Sequence, residues 1–563
     1  SNTTASNNTA CGVSALQANT TGSNNVAVGS LTLDASTTAD NNTAVGKNAL
    51  TDCTTGGENT ALGSNALANL TTGTHNVAVG FVALDTVTTG DNNVAVGNEA
   101  LQKNTTASNN TAVGFQALEE NTTGTNNVAV GSFALDANTT ASYVTAVGYE
   151  ALTANTTGLY NTAVGGRALD LNTTGTNNTA TGVNSLGANT TGSDNSAYGY
   201  ASLQNNTASF NTAIGISTLF SNTTGSQCTA IGRTALFSNT TGNNNVATGS
   251  EALRSNTTGI NNTASGNGSL YANTTGDSNT AFGGKALNSS TTADQNTAVG
   301  FNALELNTTG ANNVAVGFQA LVRNTTGNLN TAVGQEALQF NTIGGNNVAV
   351  GRQALSSNTQ SDNNTAVGYQ ALYSSVSGDN NTAIGRNAGY GTTTGDNNCA
   401  LGMDALYSLT TGSGNTAIGV RDSSGSANPV FGIGTENNRF VAGHHSITAA
   451  YVKVAWTVVS DARDKMNFAP VPHGLDFVNQ LQPTAYQFKT DRDTETPNGP
   501  VRYGFKAQDI LALEGDNPVI IDNENADSLK YNGAHLIPVL VKAVQELSAE
   551  NTALKARLDA AGI

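Results

Sequence analysis

Residues Gly114 to Val130 read GFQALEENTTGTNNVAV, and the next stretch opens on another glycine, Gly131. Marker glycines recur every 17 residues from Gly12 to Gly199; one step of 16 leads to Gly215, and the step of 17 then resumes to Gly419. Two further positions barely vary. The residue two before each of the 25 marker glycines is Ala, from Ala10 to Ala417. The residue four after is Leu in 23 of the 25, with Gly389 and Ser423 as the exceptions. The positions one and three before the glycine are mostly Val, Ile or Thr, as in Val26 and Val28. Alternating β-branched residues over a short span, closed by Gly, spell a strand and a turn. The Asn-Thr-Thr-Gly-x-Asn-Asn stretch is turn chemistry, because Asn and Gly accept left-handed backbone.

A single unit of this size buries almost nothing, whereas a stack of them buries a continuous core. The expected fold is therefore mainly β. Residues 1–419 should form a shaft, a parallel β-solenoid (β-roll) of 17-residue coils stacked about 4.8 Å apart, on the order of 120 Å long. Val, Thr and Leu are expected to line the coil interior, and stacked Asn residues to form hydrogen-bonded side-chain ladders. All eight prolines lie beyond residue 420, as an unbroken ladder requires. The invariant Ala alternates with positions read as inward, so it is expected to point away from its own coil, toward the axis of a parallel homotrimer. A tight bend within the single chain is the alternative. The cores Asn42-Thr43-Ala44-Val45-Gly46 and Asn76-Val77-Ala78-Val79-Gly80 resemble the head repeats of trimeric autotransporter adhesins. That resemblance implies a left-handed trimeric β-roll that binds or displays, with the extra residues of this longer unit in outer loops.

Charge excludes several functions. The formal net charge is −17, and charged residues are only 11% of the chain. Without a basic stripe, nucleic acid is not an expected partner. No apolar run approaches the roughly 18 residues of a membrane span, so membrane insertion is not expected. Cys11, Cys53, Cys228 and Cys399 form no Cys-x-x-Cys pair and read as small fillers, with no metal or cofactor implied. In the shaft, Asp34, Glu99 and Asp136 fall at variable outer positions, and the adjacent Glu119 and Glu120 are read as facing opposite sides of a strand. A glycosidase needs two carboxylates about 5–9.5 Å apart, so a surface role is the reading for these acids. The chain opens at Ser1 partway through a repeat, which is read as a fragment lacking an N-terminal attachment region.

Beyond Gly419 the composition changes. Residues 420–459 read as a β-rich connector, with Val430 to Gly434 and Val452 to Val458 as short strands; His444 and His445 read as a surface pair. A sharper pattern starts at Ser460-Asp461-Ala462-Arg463-Asp464-Lys465-Met466-Asn467. Leu481-Gln482-Pro483-Thr484-Ala485-Tyr486, Gly504-Phe505-Lys506-Ala507-Gln508, Leu529-Lys530-Tyr531 and Leu536-Ile537-Pro538-Val539-Leu540 follow in order. This set resembles the intramolecular chaperone domain of endosialidase-type phage tailspikes and fibres, an autoproteolytic family. The resemblance spans about 460–563 and implies a domain that guides trimerisation of the preceding fibre and is then cut away. It implies further that Ser460 attacks the carbonyl of Val459, making Val459–Ser460 the scissile bond, with Asp461 and Arg463 in supporting positions. The chemistry is compatible, because a serine needs a nearby base and a desolvated lysine is one; Lys465 is the candidate. The alternative is an inactive relic with Arg463 and Lys465 as surface charges.

Finally, Leu540, Val544, Leu547, Asn551, Leu554 and Leu558 alternate steps of four and three, a heptad seam whose Asn sets register. The expected organisation is a shaft at 1–419, a connector at 420–459, a small α+β chaperone and autoprotease at 460–538, and a trimeric coiled coil at 539–563. The function read from this is a phage or phage-like tail fibre, extracellular on the virion. It would meet a host cell-surface receptor, glycan or protein, and join a tail or baseplate through the missing N-terminal region. A bacterial trimeric surface adhesin and a polysaccharide-depolymerising tailspike are the alternatives.

Overall fold

In the coil Gly114–Val130, every kind of neighbour needed for stacking is present one repeat away. The computed structural model describes residues 4–419, 434–443, 462–489, 495–516, 518–523, 526 and 529–563. Three-residue strands run from β1 (Thr9–Cys11) to β25 (Thr416–Ile418), one per coil, and each pairs in parallel with the next. Register is fixed by the repeat: Thr111 lies opposite Val128, Ala112 opposite Ala129 and Val113 opposite Val130. The backbone ladder extends around the coil, since Leu118 N–H donates to Ala134 O at 2.9 Å and Thr122 N–H to Thr139 O at 2.9 Å. Closure on all sides removes the unpaired backbone that a short strand otherwise exposes. The 16-residue step leaves this intact: Ala197 still faces Ala213, and the missing residue comes from the turn at Thr207-Ala208.

The interior inverts one expectation. Ala27, Ala44, Ala129 and their equivalents away from the end coils have no exposed surface, and neither do Leu118, Leu135 or Leu152. The β-branched residues on either side point outward instead: Val128 and Val130 are each 36% exposed. The invariant Ala therefore fills its own coil and does not face a shared axis; the tight space lies within the single chain. A period of two admits both assignments, because a shift of one residue exchanges the faces. Volume decides it here. A coil this short has room for methyl groups and Leu, while branched side chains are accommodated outside.

The Asn ladders form, and they lie inside the coil. Asn121 and Asn127 are fully buried. Asn121 Nδ2 donates to Asn104 Oδ1 (3.1 Å) and to Gly124 O (2.9 Å), and its Oδ1 accepts from Asn138 Nδ2 at 2.8 Å. Asn127 N–H donates to Asn110 Oδ1 at 3.0 Å, and its Nδ2 to Ala141 O at 2.9 Å. A buried amide is tolerated when its donors and acceptor are matched, and the repeat matches them in nearly every coil. The marker glycines are required twice over. Gly148 has φ +135°, and a Cβ there would sit 2.6 Å from the carbonyl carbon of Gly165 in the next coil.

The solenoid continues one rung past the last marker glycine. Strand β26 (Phe440–Ala442) pairs with β25 in parallel, Thr416 opposite Phe440, a step of 24 residues within the stretch read as connector. The predicted strands at Val430–Ile433 and Val452–Val458, together with His444 and His445, lie outside the described residues.

The C-terminal region has its own small core. A 3-10 turn (Ala462–Asp464) precedes α1 (Leu475–Gln480), the antiparallel pair β27 (Thr484–Lys489) and β28 (Pro497–Gly504), and α2 (Ala507–Glu514). A two-residue pair, β29 (Ile521–Asp522) with β30 (Lys530–Tyr531), leads to the long helix α3 (Gly533–Ala560). Phe477, Leu481, Ile510, Ile520, Ile521, Leu536 and Val539 form the buried cluster.

Candidate functional site

The chemistry-bearing motif sits at the N-terminal edge of this C-terminal region. Val459, Ser460 and Asp461 lie outside the described residues, so the Ser460–Lys465 pairing has no geometry on record. Lys465 follows the 3-10 turn, and its backbone N–H donates to Ala462 O at 3.3 Å. The side chains of Arg463 and Lys465 are exposed, as are Met466 (81%) and Phe468 (74%). A lysine acting as base needs a desolvated ammonium. In the single chain, Lys465 does not have that environment.

The elements that follow the motif are tied together by polar clamps. Glu514, the last residue of α2, accepts three successive backbone N–H groups: Val519 (2.8 Å), Ile520 (2.7 Å) and Ile521 (3.0 Å). Glu546 of α3 accepts the Leu475 N–H at 2.6 Å, meeting an otherwise open donor of the first turn of α1. Lys542, one turn earlier, donates to Val471 O at 2.7 Å and lies 3.6 Å from Glu546. His535 places Nδ1 2.7 Å from Val519 O; a carbonyl only accepts, so Nδ1 carries the proton. None of these clamps has a motif signature. Sequence reading missed them because the partners are up to 71 residues apart.

Helix α3 divides its faces cleanly. Leu536, Val539 and Ala543 are buried against the domain. The predicted heptad positions lie on another stripe and are exposed in the single chain: Leu540 (40%), Val544 (66%), Leu547 (53%), Leu554 (51%) and Leu558 (39%), with Asn551 exposed between them. Among the described residues no helix is long and apolar enough to cross a membrane, and no group of three His, Cys, Asp or Glu could hold a metal ion.

In the shaft, the acids gather in one notable place. Glu119 and Glu120 lie in a turn rather than a strand; Glu120 pairs with Lys103 of the previous coil. Asp136, one coil on, is half-buried, and its carboxyl is pushed up to about 6 by burial, reinforced by the nearby Glu119 and Glu120 charges. Cys53 and Cys228 are buried and inert, their thiols pushed up to about 12 and about 11 by burial. Cys11 is exposed and Cys399 half-exposed on the outer sheet face, so the filler reading holds for the buried pair and not for Cys11.

Residues 460–517 match the family model of the chaperone of endosialidase, peptidase S74. Residues 460–517 are thus a chaperone-of-endosialidase segment, as the motifs at Ser460–Asn467, Leu481–Tyr486 and Gly504–Gln508 implied; the match stops short of Leu529–Tyr531 and Leu536–Leu540. No curated protein and no solved structure matches the chain.

Proposed function

We propose, with the chaperone-of-endosialidase segment at 460–517 as the premise, that this chain is the shaft of an extracellular phage-type tail fibre. In this reading the fibre assembles as a parallel homotrimer and carries its own assembly factor at the C-terminus. The observation that carries it is the exposed heptad stripe from Leu540 to Leu558 on α3, distinct from the face that packs on the domain. A stripe of that period and length is buried by equivalent helices from parallel chains. Three such helices bring three chains into register, and parallel β-structure with few local contacts gains most from being started in register.

The same domain carries the proposed cut at Val459–Ser460, with Ser460 as nucleophile and Lys465 as base. Because Lys465 is exposed in the single chain, the desolvation it needs has to come from assembly. Cleavage therefore follows trimerisation. The mature rod would then present its outer turns to a host cell-surface receptor while held on the tail.

Sedimentation of the full chain tests the assembly role. The parent should run as an elongated trimer, and Leu547→Glu with Leu554→Glu should give monomers or aggregates while the domain keeps its helical signal. A double variant that stays trimeric would refute the role of the stripe.

A further inference from the structure

Charge is admitted at many outer positions of the shaft, yet the outer face of the strands excludes it. Residues 1–419 contain 31 Asp, Glu, Lys and Arg residues. All of them lie one, two, five, six, eleven or twelve positions after a marker glycine, as in Lys47, Glu99, Asp34, Glu120, Asp91 and Glu58. The strand positions one and three before the glycine also face outward, and in 25 coils neither ever holds a charge. The column immediately before the glycine is apolar in 22 coils; Thr181, Thr248 and Ser265 are the exceptions. Its side chains stand clear of the coil: Leu62 is 48% exposed, Ile214 41%, Phe282 46% and Val299 38%.

The column three before the glycine is Thr or Ser in 17 coils and Val or Cys in the other eight, so the face is one nearly continuous apolar column flanked by a column of mixed hydroxyl and methyl groups. Twenty-five rungs at about 4.8 Å, each with a three-residue strand about 10 Å long, give a charge-free strip of roughly 1,200 Å² per chain, about half of it under the apolar column. Standard interfaces bury about 800 Å² per partner, and exposed apolar patches beyond a few hundred Å² mark interaction sites. The backbone of these strands is already paired within the ladder, so a partner must pack through side chains. The Thr column nine positions after the glycine is also free of charge, as at Thr292, but its neighbour eight after the glycine is mostly Thr as well, so that face has no apolar column and gains less from burial.

We propose that the charge-free sheet face, the columns one and three residues before each marker glycine, is the surface through which the shaft packs on parallel, in-register copies of this same chain. The occupant follows from the length of the strip. A receptor or ligand touches a few coils, whereas the absence of charge persists over all 25. A second copy is a partner of matching length and period, and in register each coil meets its own equivalent. This deepens the homotrimer reading, on which it rests, by assigning the face, and it moves the interface from the Ala column to the Val column.

The test is site-directed cross-linking of the full chain in a background carrying Cys11→Ser and Cys399→Thr, which removes the exposed and half-exposed thiols. Val299→Cys and, separately, Thr292→Cys are treated with a short bis-maleimide, and the oligomeric state is read by sedimentation alongside. Expected is a trimer in which Val299→Cys gives covalent dimers and trimers, at least tenfold above Thr292→Cys. A trimer that links at Thr292→Cys alone, or at neither site, overturns the assignment of the face while leaving the trimer standing. A chain that sediments as a monomer overturns both.

Discussion

A leucine at positive φ carries a strain of about 1–2 kcal/mol, yet all 23 repeat leucines adopt φ between 50° and 56°. Burial offsets it: a fully buried Leu contributes about 1.5–3 kcal/mol, and Leu152 has no exposed surface. Leu152→Ala keeps the strain and loses the burial, so it should lower the stability of its coil by about 2–5 kcal/mol, seen as local loss of amide-exchange protection. Asn138→Ala strands the Asn155 amide that donates to it at 3.1 Å and the Asn121 oxygen that accepts from it at 2.8 Å. It should cost about 1–3 kcal/mol by the same measurement. Asp136 gives a pH signature. Its carboxyl is raised to about 6 in the fold, above its ordinary value, so the folded chain binds that proton more tightly and gains stability as pH falls. Asp136→Asn should raise the melting temperature at pH 8, and the advantage should shrink as pH drops through about 6 toward 4. Much of this residue scale was legible. The Asn and Gly turn chemistry and the Asn ladders followed from residue type. The left-handed Leu did not, because local preference argues against it and only stacking across coils imposes it.

At the scale of the element, the coil was legible because one period repeats 25 times, and its facing was not. Alternation places residues on two sides without saying which is inside, and volume within a 17-residue coil settled that in favour of Ala. The rung at Phe440–Ala442 was missed because its step is 24 and Val441 stands where Ala stands elsewhere; Gly443, with φ +110°, was the available signal. Helix α3 reaches back to Gly533, past Pro538, so its first turns pack on the domain through Leu536, Val539 and Ala543, while the free seam starts at Leu540 on another face. That division makes two variants diverge. Val539→Ala removes buried methyls and should lower the domain's stability by about 1–2 kcal/mol. Glu546→Ala should loosen α1 instead, by about 1–2 kcal/mol, since it leaves the Leu475 N–H without its acceptor. Thermal melts of the full chain followed by near-ultraviolet and far-ultraviolet signals separate the two.

For the whole molecule, the proposed assembly gives the shaft the task of length and display and the C-terminal domain the task of starting it in register. A rod whose coils touch only their neighbours can nucleate anywhere and misalign, so a separate aligning domain is a physical requirement for a multi-chain rod, and one needed only once. That makes removal after assembly chemically sensible and ties the account to one bond. Denaturing gel electrophoresis with mass analysis of the full chain beside Ser460→Ala is the most direct measurement. The account predicts fragments 1–459 and 460–563 from the parent and an uncut chain from the variant. An uncut parent, or a variant cut as fully as the parent, would contradict it.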